Sequence, residues 1–357
     1  MTDTSATLPE ELKSQADDSF VIRTHEFMEV DYAEPHLARG RRLLKKHPEI
    51  TKLFGRNPWT LPLAIAVSGT QIATAVALAH FGAPWWLMLI VAFAFGAFLC
   101  NTNSSIIHDA SHDRVTHARI GNELTGWIAN LPNIIPVASS FRIYHMKHHR
   151  FQGDPEFDAD MASKAEADLF GGSFIGKLAW EILFPVIQTL RTRRFLANGR
   201  IPFITPWVIA NFIIQFSFDA LIVYLAGPWA MFYLAASFIF SLGPHPLGAR
   251  YVQEHFIFHK NQETYSYYGP LNVLGLNVYH HNEHHDFPAV PWNRLPKVRA
   301  AIPEVYNQLY YHNSLTGLWL KFLFDPTVSL HRRIVRHYNV DGSDPVKAPA
   351  AAAHAAE

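Results

Sequence analysis

The sequence predicts an all-α integral membrane protein: four transmembrane helices in two hairpins, with a cytosolic helical cap that carries a histidine-rich site. Three observations predict it. Hydrophobic residues make up 49% of the 357 and charged residues only 17%, against about 25% charged in an ordinary soluble domain. Four apolar stretches of bilayer-crossing length stand in two close pairs. Every Lys and Arg lies outside them, 9 in residues 1–60, 11 in 109–204 and 10 in 249–357, which accounts for all 30.

Taken in order, residues 1–20 are polar and acidic and are expected to be disordered, as is the low-complexity tail 341–357. That leaves a single membrane domain over 21–340. The first apolar run starts near Leu61, so no signal peptide is expected. Residues 34–56 carry Arg39, Arg41, Arg42, Lys45, Lys46, Lys52 and Arg56. They read as a basic amphipathic segment against anionic lipid heads, or equally as a solvated helix face. Spans follow at about 61–81 and 85–107, separated only by "GAP", a link too short for anything but a hairpin. A second pair, 206–226 and 229–247, meets at "GPW". Trp85, Trp86 and Trp229 stand at these tips, where an aqueous interface favours tryptophan. Both pairs therefore return their outer ends to one side, and the basic residues gathered there make it the cytosol. The alternative is a soluble protein with buried helical hairpins. Asp219 lies inside the third span, where a lone carboxylate costs roughly 2.5–3.5 kcal/mol. It is expected to face protein or a polar cavity, in a structural role. The stretch "GWIANLPNIIPVASS" (126–140) is too short and too proline-broken to span and reads as interfacial or re-entrant.

Formal net charge is zero, so no nucleic-acid partner is expected. The single cysteine, Cys100, rules out an internal disulfide and a cysteine-ligated metal. The histidines carry the chemistry. Of 21, eight fall into three tight groups: His108 and His112 in "HDASH"; His145, His148 and His149 in "HMKHH"; and His281, His284 and His285 in "HNEHH". Positions i, i+3 and i+4 share a helix face, so each group is expected to aim its imidazoles at one point. Eight imidazoles exceed what one tetrahedral ion uses, and the pattern suits two metal ions. Zinc closes at three or four protein ligands, and copper(I) favours sulfur ligands that these groups lack. Iron accepts more ligands and leaves room for dioxygen. His280 points away from its neighbours along a helix and is excluded. His80 belongs to the far end of the first span, and His117, His312, His331 and His337 are assigned to the surface. A ninth ligand is sought just after the fourth span among His245, His255 and His259. Carboxylates are expected to fix the imidazoles, with Asp109, Asp113, Glu283 and Asp286 as candidates. No catalytic residue beyond the metal ligands is expected.

Three boxes of this form on four spans resemble the membrane fatty-acyl desaturases, and within them the sphingolipid delta-4 (dihydroceramide) desaturase branch. The resemblance rests on "ETYSYYGPLNVLGLNVYHHNEHHDFPAVP" (263–291), "IANLP" (128–132), "FRIYHMKHHRF" (141–151), "DYAEPHLARGRRLLKKHPEI" (31–50) and "FSFDALIVYLAG" (216–227). It runs from about Phe27 to His337. It implies that the eight box histidines and His255 hold two iron ions. It further implies that dioxygen is a co-substrate and that dihydroceramide-like lipids gain a trans double bond at carbons 4 and 5 of the sphingoid base. Arg250, Lys147 and His280 depart from the family pattern, as does the acidic stretch "GDPEFDADMASKAEA" (153–167). No haem, flavin or dinucleotide motif is present, so electrons are expected from a separate donor, a b-type cytochrome or a ferredoxin with its reductase. Arg191, Arg193 and Arg194 would offer such a donor a basic surface, or flank lipid heads. The host membrane would be the endoplasmic reticulum in a eukaryote or the cytoplasmic membrane in a bacterium. The competing readings are a lipid hydroxylase with the same diiron core, a zinc membrane hydrolase, and a non-catalytic metal or haem carrier.

Overall fold

The computed structural model describes residues 22, 24–193, 195 and 202–339. The disorder expected of 1–20 and 341–357, and Arg194, fall outside the described residues. Helix α1 (Pro35–Lys46) starts where Glu34 accepts hydrogen bonds from the His36 and Leu37 amides and Pro35 supplies a fixed φ. Four helices are long and apolar enough to cross a bilayer. They are α2 (Thr60–His80), α3 (Trp85–Ser111), α7 (Pro206–Ala226) and the segment Pro228–His255. The last comprises α8 (Pro228–Leu242), a break through the turn at Pro246–Ala249, and α9 (Arg250–His255). Between α3 and α7 stand α4 (Arg119–Asn130), α5 (Ala138–Phe151) and α6 (Phe174–Arg191). After α9 come α10 (His281–Asp286) and α11 (Leu315–Phe324).

The span helices pack on one another through small and polar side chains. A Cβ at Gly96, in a π-turn of α3 (Ala92–Gly96), would run into the Ser237 side chain of α8, so glycine is what lets these two helices approach. Tyr233 of α8 donates to Gln71 of α2 (3.4 Å), and Ser68 of α2 donates to Asn103 of α3 (3.2 Å).

The segment 126–140 turns back rather than crossing: α4 ends at Asn130, Ile134 takes a left-handed φ of 56°, and α5 begins at Ala138. Asn130 organises the turn. Its side-chain oxygen accepts from the Val137 and Ala138 amides (2.8 and 2.7 Å), and its nitrogen donates to Ile135 O and to Gln215 of α7 (2.7 and 2.6 Å). Gln215 also donates to Asp219 (2.9 Å), so that carboxylate in the third span faces a partner inside the protein.

Two short parallel strand pairs supplement the helices. Met28–Glu29 pairs with Ile334–Val335, and Ser266–Tyr267 pairs with Tyr311–His312. Arg336, fully buried, ties distant segments together: it pairs with Glu263 and donates to Tyr32 O and Gln152 O.

Several surface assignments are corrected. His312 and His331 are buried; His331 bonds Asp168 (3.0 Å), and His312 packs against Phe258 and Tyr265. Arg191 is also buried and grips Glu166, so it is no free docking cation. In α1, Arg39 turns inward while Arg41, Arg42, Lys45 and Lys46 stay exposed; the helix is a partner of α10 as much as a surface element.

Candidate metal centre

Nine histidines converge from four segments. They are the eight of the three boxes and His255, which closes α9; His245 and His259 stay apart from them. They form two groups, each with nitrogens within 4.8 Å of one another: His108, His112, His145, His149 and His284 in one, and His148, His255, His281 and His285 in the other. The boxes therefore do not each aim at one point, as spacing alone suggested. The i, i+4 pairs stay together (108 with 112, 145 with 149, 281 with 285), and the i+3 member crosses to the other group. The cause is helical: four residues advance about 40° past a full turn and three fall about 60° short, so the two side chains diverge. His149 and His285 stack at 4.2 Å across the two groups.

The spacing of the nitrogens fits bound ions. In the first group, Nε2 of His145 lies 3.0 Å from that of His112 and 3.1 Å from that of His149, which lies 3.0 Å from that of His284. In the second, His255 Nε2 lies 3.0 Å from those of His148 and His281. With imidazole–metal bonds of about 2.1 Å, ligands at right angles stand about 3.0 Å apart, and tetrahedral ones about 3.4 Å. The set therefore suits an ion of higher coordination number, such as iron. Nε2 of His108 and the ring nitrogens of His285 are buried with no partner among the described residues, which leaves a lone-pair nitrogen on each ring open to an ion.

Burial, with the charges around them, holds His145, His149, His281, His284 and His285 far below the usual imidazole range, and holds His112 at about 3. Neutral imidazole is the form that binds a metal. His148 is the exception. Burial pulls it down, but the Asp158 and Asp160 carboxylates outweigh that and push it up to about 8.

Of the four candidate supporting carboxylates, none bonds one of the nine imidazoles among the described residues. Asp109 accepts from the Trp292 amide (3.1 Å), and Asp113 pairs with Arg142 (2.7 Å) at the left-handed residue that follows α3. Glu283 takes Tyr268, Ser266 and the excluded His280. Asp286 takes His36 (2.7 Å), Arg39 (2.9 Å) and Tyr306 (2.9 Å). It reaches the site at one remove, because His36 Nε2 meets Thr264 Oγ1 (2.7 Å), which lies 3.3 Å from His255 Nδ1. The direct support is Asp158, which accepts from His148 Nδ1 at 3.0 Å and is itself held by the Gly153 and Asp160 amides. Sequence reasoning missed it, although it lies in the acidic run after the second box. Glu254 Oε1 stands 3.7 Å from His281 Nδ1 and pairs with Arg250 at 2.6 Å, so the unusual Arg250 is a buried counter-ion.

A cavity of about 260 Å³ leads to this centre. Phe212, Phe216, Phe238, Leu242 and Ile135 make its apolar wall. Tyr144, Asp160, Gln188, Arg250, Tyr251 and Glu254 make a polar wall, which meets His148 and His281. Pro185 and Thr189 of α6, Thr192 just after it, and Phe212 and Phe216 of α7 are all part of its lining.

The fatty acid desaturase family matches residues 84–316, and the sphingolipid Delta4-desaturase (DES) family matches residues 23–59, the segment that contains α1. The chain is 39% identical over 305 residues to sphingolipid delta(4)-desaturase DES1 of Drosophila melanogaster, covering 85% of this chain and 93% of that protein. It is 38% identical over 303 residues to a DES1-like sphingolipid delta(4)-desaturase of Oryza sativa subsp. japonica, covering 85% and 90%. A relative in Caenorhabditis elegans, provisionally named sphingolipid delta(4)-desaturase/C4-monooxygenase, is 35% identical over 305 residues, covering 85% and 82%. Histidine groups, apolar helices and relatives agree: the chain belongs to the fatty acid desaturase family, in its sphingolipid delta(4)-desaturase branch.

Proposed function

We propose that this protein is an oxidoreductase that desaturates dihydroceramide-like lipids between carbons 4 and 5 of the sphingoid base, giving the trans alkene. His108, His112, His145, His149 and His284 hold one iron ion, and His148, His255, His281 and His285 hold a second. When bound, the iron pair supplies the dioxygen activation needed to remove hydrogen from an unactivated methylene, which no side-chain acid or base can do. One dioxygen, two electrons and two protons enter per alkene formed, and two waters leave.

The observation that carries the reading is the position of the polar wall. In a sphingoid base the hydroxyl on carbon 3 and the amide on carbon 2 adjoin the reacting pair, so head group and reacting carbons need neighbouring places. Asp160 and Glu254 line the cavity, each 3.7 Å from a histidine of the second group. A fatty chain attacked in its middle would want its polar end far from the metals. The protein's own part is to orient and to exclude water: Asp158 fixes the His148 ring, and the phenylalanine wall holds the chain in a dry groove.

The two helix pairs form hairpins whose outer ends, with the metal centre, face the cytosol; the gathering of Lys and Arg outside the spans supports this. The membrane is the endoplasmic reticulum in a eukaryote or the cytoplasmic membrane in a bacterium. Electrons come from a separate b-type cytochrome or ferredoxin. The name of the nematode relative favours one further outcome, hydroxylation at carbon 4 by the same centre. A zinc hydrolase is set aside, because five imidazoles in one group exceed what zinc takes.

The test is mass spectrometry of lipids from cells fed labelled dihydroceramide, with and without the protein, and with His284→Ala as control. Product lighter by two hydrogens and absent with the variant is expected. Product heavier by one oxygen means the hydroxylase, and absence of both, with a donor supplied, rejects the sphingolipid substrate.

A further inference from the structure

Asp160 is a polar group of the cavity that stands against the metal centre with bonding capacity to spare. Its Oδ1 accepts from Gln188 Nε2 (3.1 Å), and its main-chain carbonyl is held by Arg191 (3.1 Å) and Arg333 (3.2 Å). Its Oδ2 lies 3.7 Å from His148 Nδ1 and accepts no hydrogen bond among the described residues. Glu254, its counterpart beside His281, is already engaged by Arg250. Asp158, the other carboxylate at His148, is fully buried and spent on His148 and two amides, whereas Asp160 keeps some exposure on the cavity.

On the sphingolipid reading above, the hydroxyl on carbon 3 is bonded to the carbon next to the reacting bond. Whatever binds that hydroxyl must therefore lie within a few ångströms of the metal ligands. We infer that Asp160 Oδ2 accepts the hydrogen bond of the sphingoid 3-hydroxyl, and that this bond places carbons 4 and 5, rather than a pair further along the chain, before the metal centre. Asp160 is thus a specificity-determining residue. A carboxylate suits the task, since a charge-assisted bond to a hydroxyl inside a dry cavity is strong and directional. The alkyl chain itself offers no handle on register, because successive methylenes present the same surface, so register is set from the polar end.

The test compares dihydroceramide with its 3-deoxy analogue in the iron-loaded enzyme, for the wild type, Asp160→Ala and Asp160→Asn, with iron content measured for each. The wild type should favour the hydroxylated lipid about 10- to 100-fold in kcat/KM. Asp160→Ala should lose most of that preference and spread the double bond to neighbouring positions. Asp160→Asn, which keeps an acceptor without charge, should recover part of both. If Asp160→Ala failed to retain iron, the Asn variant alone would carry the comparison. Asp158→Asn is the contrast: it disturbs His148 and should slow both lipids alike. Variants that slow both lipids equally, with bond position unchanged, overturn the role of Asp160 and leave the desaturase reading standing. A wild type that converts neither lipid overturns both.

Discussion

Asp158 is the residue on which the second histidine group leans. It is buried, bonds His148 Nδ1, and leaves Nε2 free to face His255 across 3.0 Å. Support of this kind fixes ring orientation and tautomer, and its loss typically lowers metal affinity or activity about 10- to 100-fold. Asp158→Asn should therefore reduce both iron content and turnover within that range, as metal analysis and product formation on one preparation will register. Glu181 of α6 is a different case. Burial raises it to about 8 against the pull of its hydrogen bond from Trp319, while in the unfolded chain it titrates near 4.5. The folded state thus holds this proton more tightly. Its contribution to stability is complete below 4.5 and fades as pH rises through 8. Glu181→Gln should remove that alkaline loss, raising Tm by about a few degrees above pH 8 and changing little near pH 5; equal melting curves at both values would refute it.

Among the elements, α1 and α10 form an exacting contact. A Cβ on Gly40 of α1 would run into the Asp286 carbonyl oxygen at the end of α10, so the helices meet backbone to backbone. Arg39 and His36, on the same face of α1, clasp Asp286 there. The segment that reads in sequence as a lipid-facing basic helix is thus also a brace for the third histidine box. Gly40→Val should force the helices apart, cost roughly 1–3 kcal/mol of stability, and lower iron retention. A folded variant with full iron content would contradict the brace. The exposed Arg41 and Lys45 of the same helix are free of this duty. Arg41→Gln with Lys45→Gln should leave the melting temperature and iron content within error of the wild type, and a marked fall in either would show that the exposed face matters too.

At the scale of the molecule, the cavity is lined by α6 and α7 side chains and by the polar groups beside the histidines. Filling its apolar wall should hinder the lipid without touching the metals. Phe216→Trp is expected to lower turnover several-fold with iron content unchanged. Much of this plan is legible in the sequence. The spans follow from the length of apolar runs, and eight of the nine converging histidines follow from their spacing; His255 stands in the sequence as one of three candidates after the fourth span, singled out by the family resemblance. What the sequence hides is long-range pairing. His36 meets Asp286 across 250 residues, and no local pattern marks either as the other's partner. Asp158 looks like any acid in an acidic loop until the fold buries it beside His148. The division of each box between the two groups also needs the helices in place, since spacing states that side chains share a face and not where that face points.

That division has a thermodynamic result. Helices α5 and α10 each send side chains into both groups, so an ion arriving at one clamps the two helices that the other requires. The second ion then finds its donors already set. Loading should be cooperative, with a titration steeper than two independent sites would give and little singly filled protein along the way. A protein so built tends to be either fully equipped with its oxidant or inert, and seldom half armed beside an oxidisable membrane.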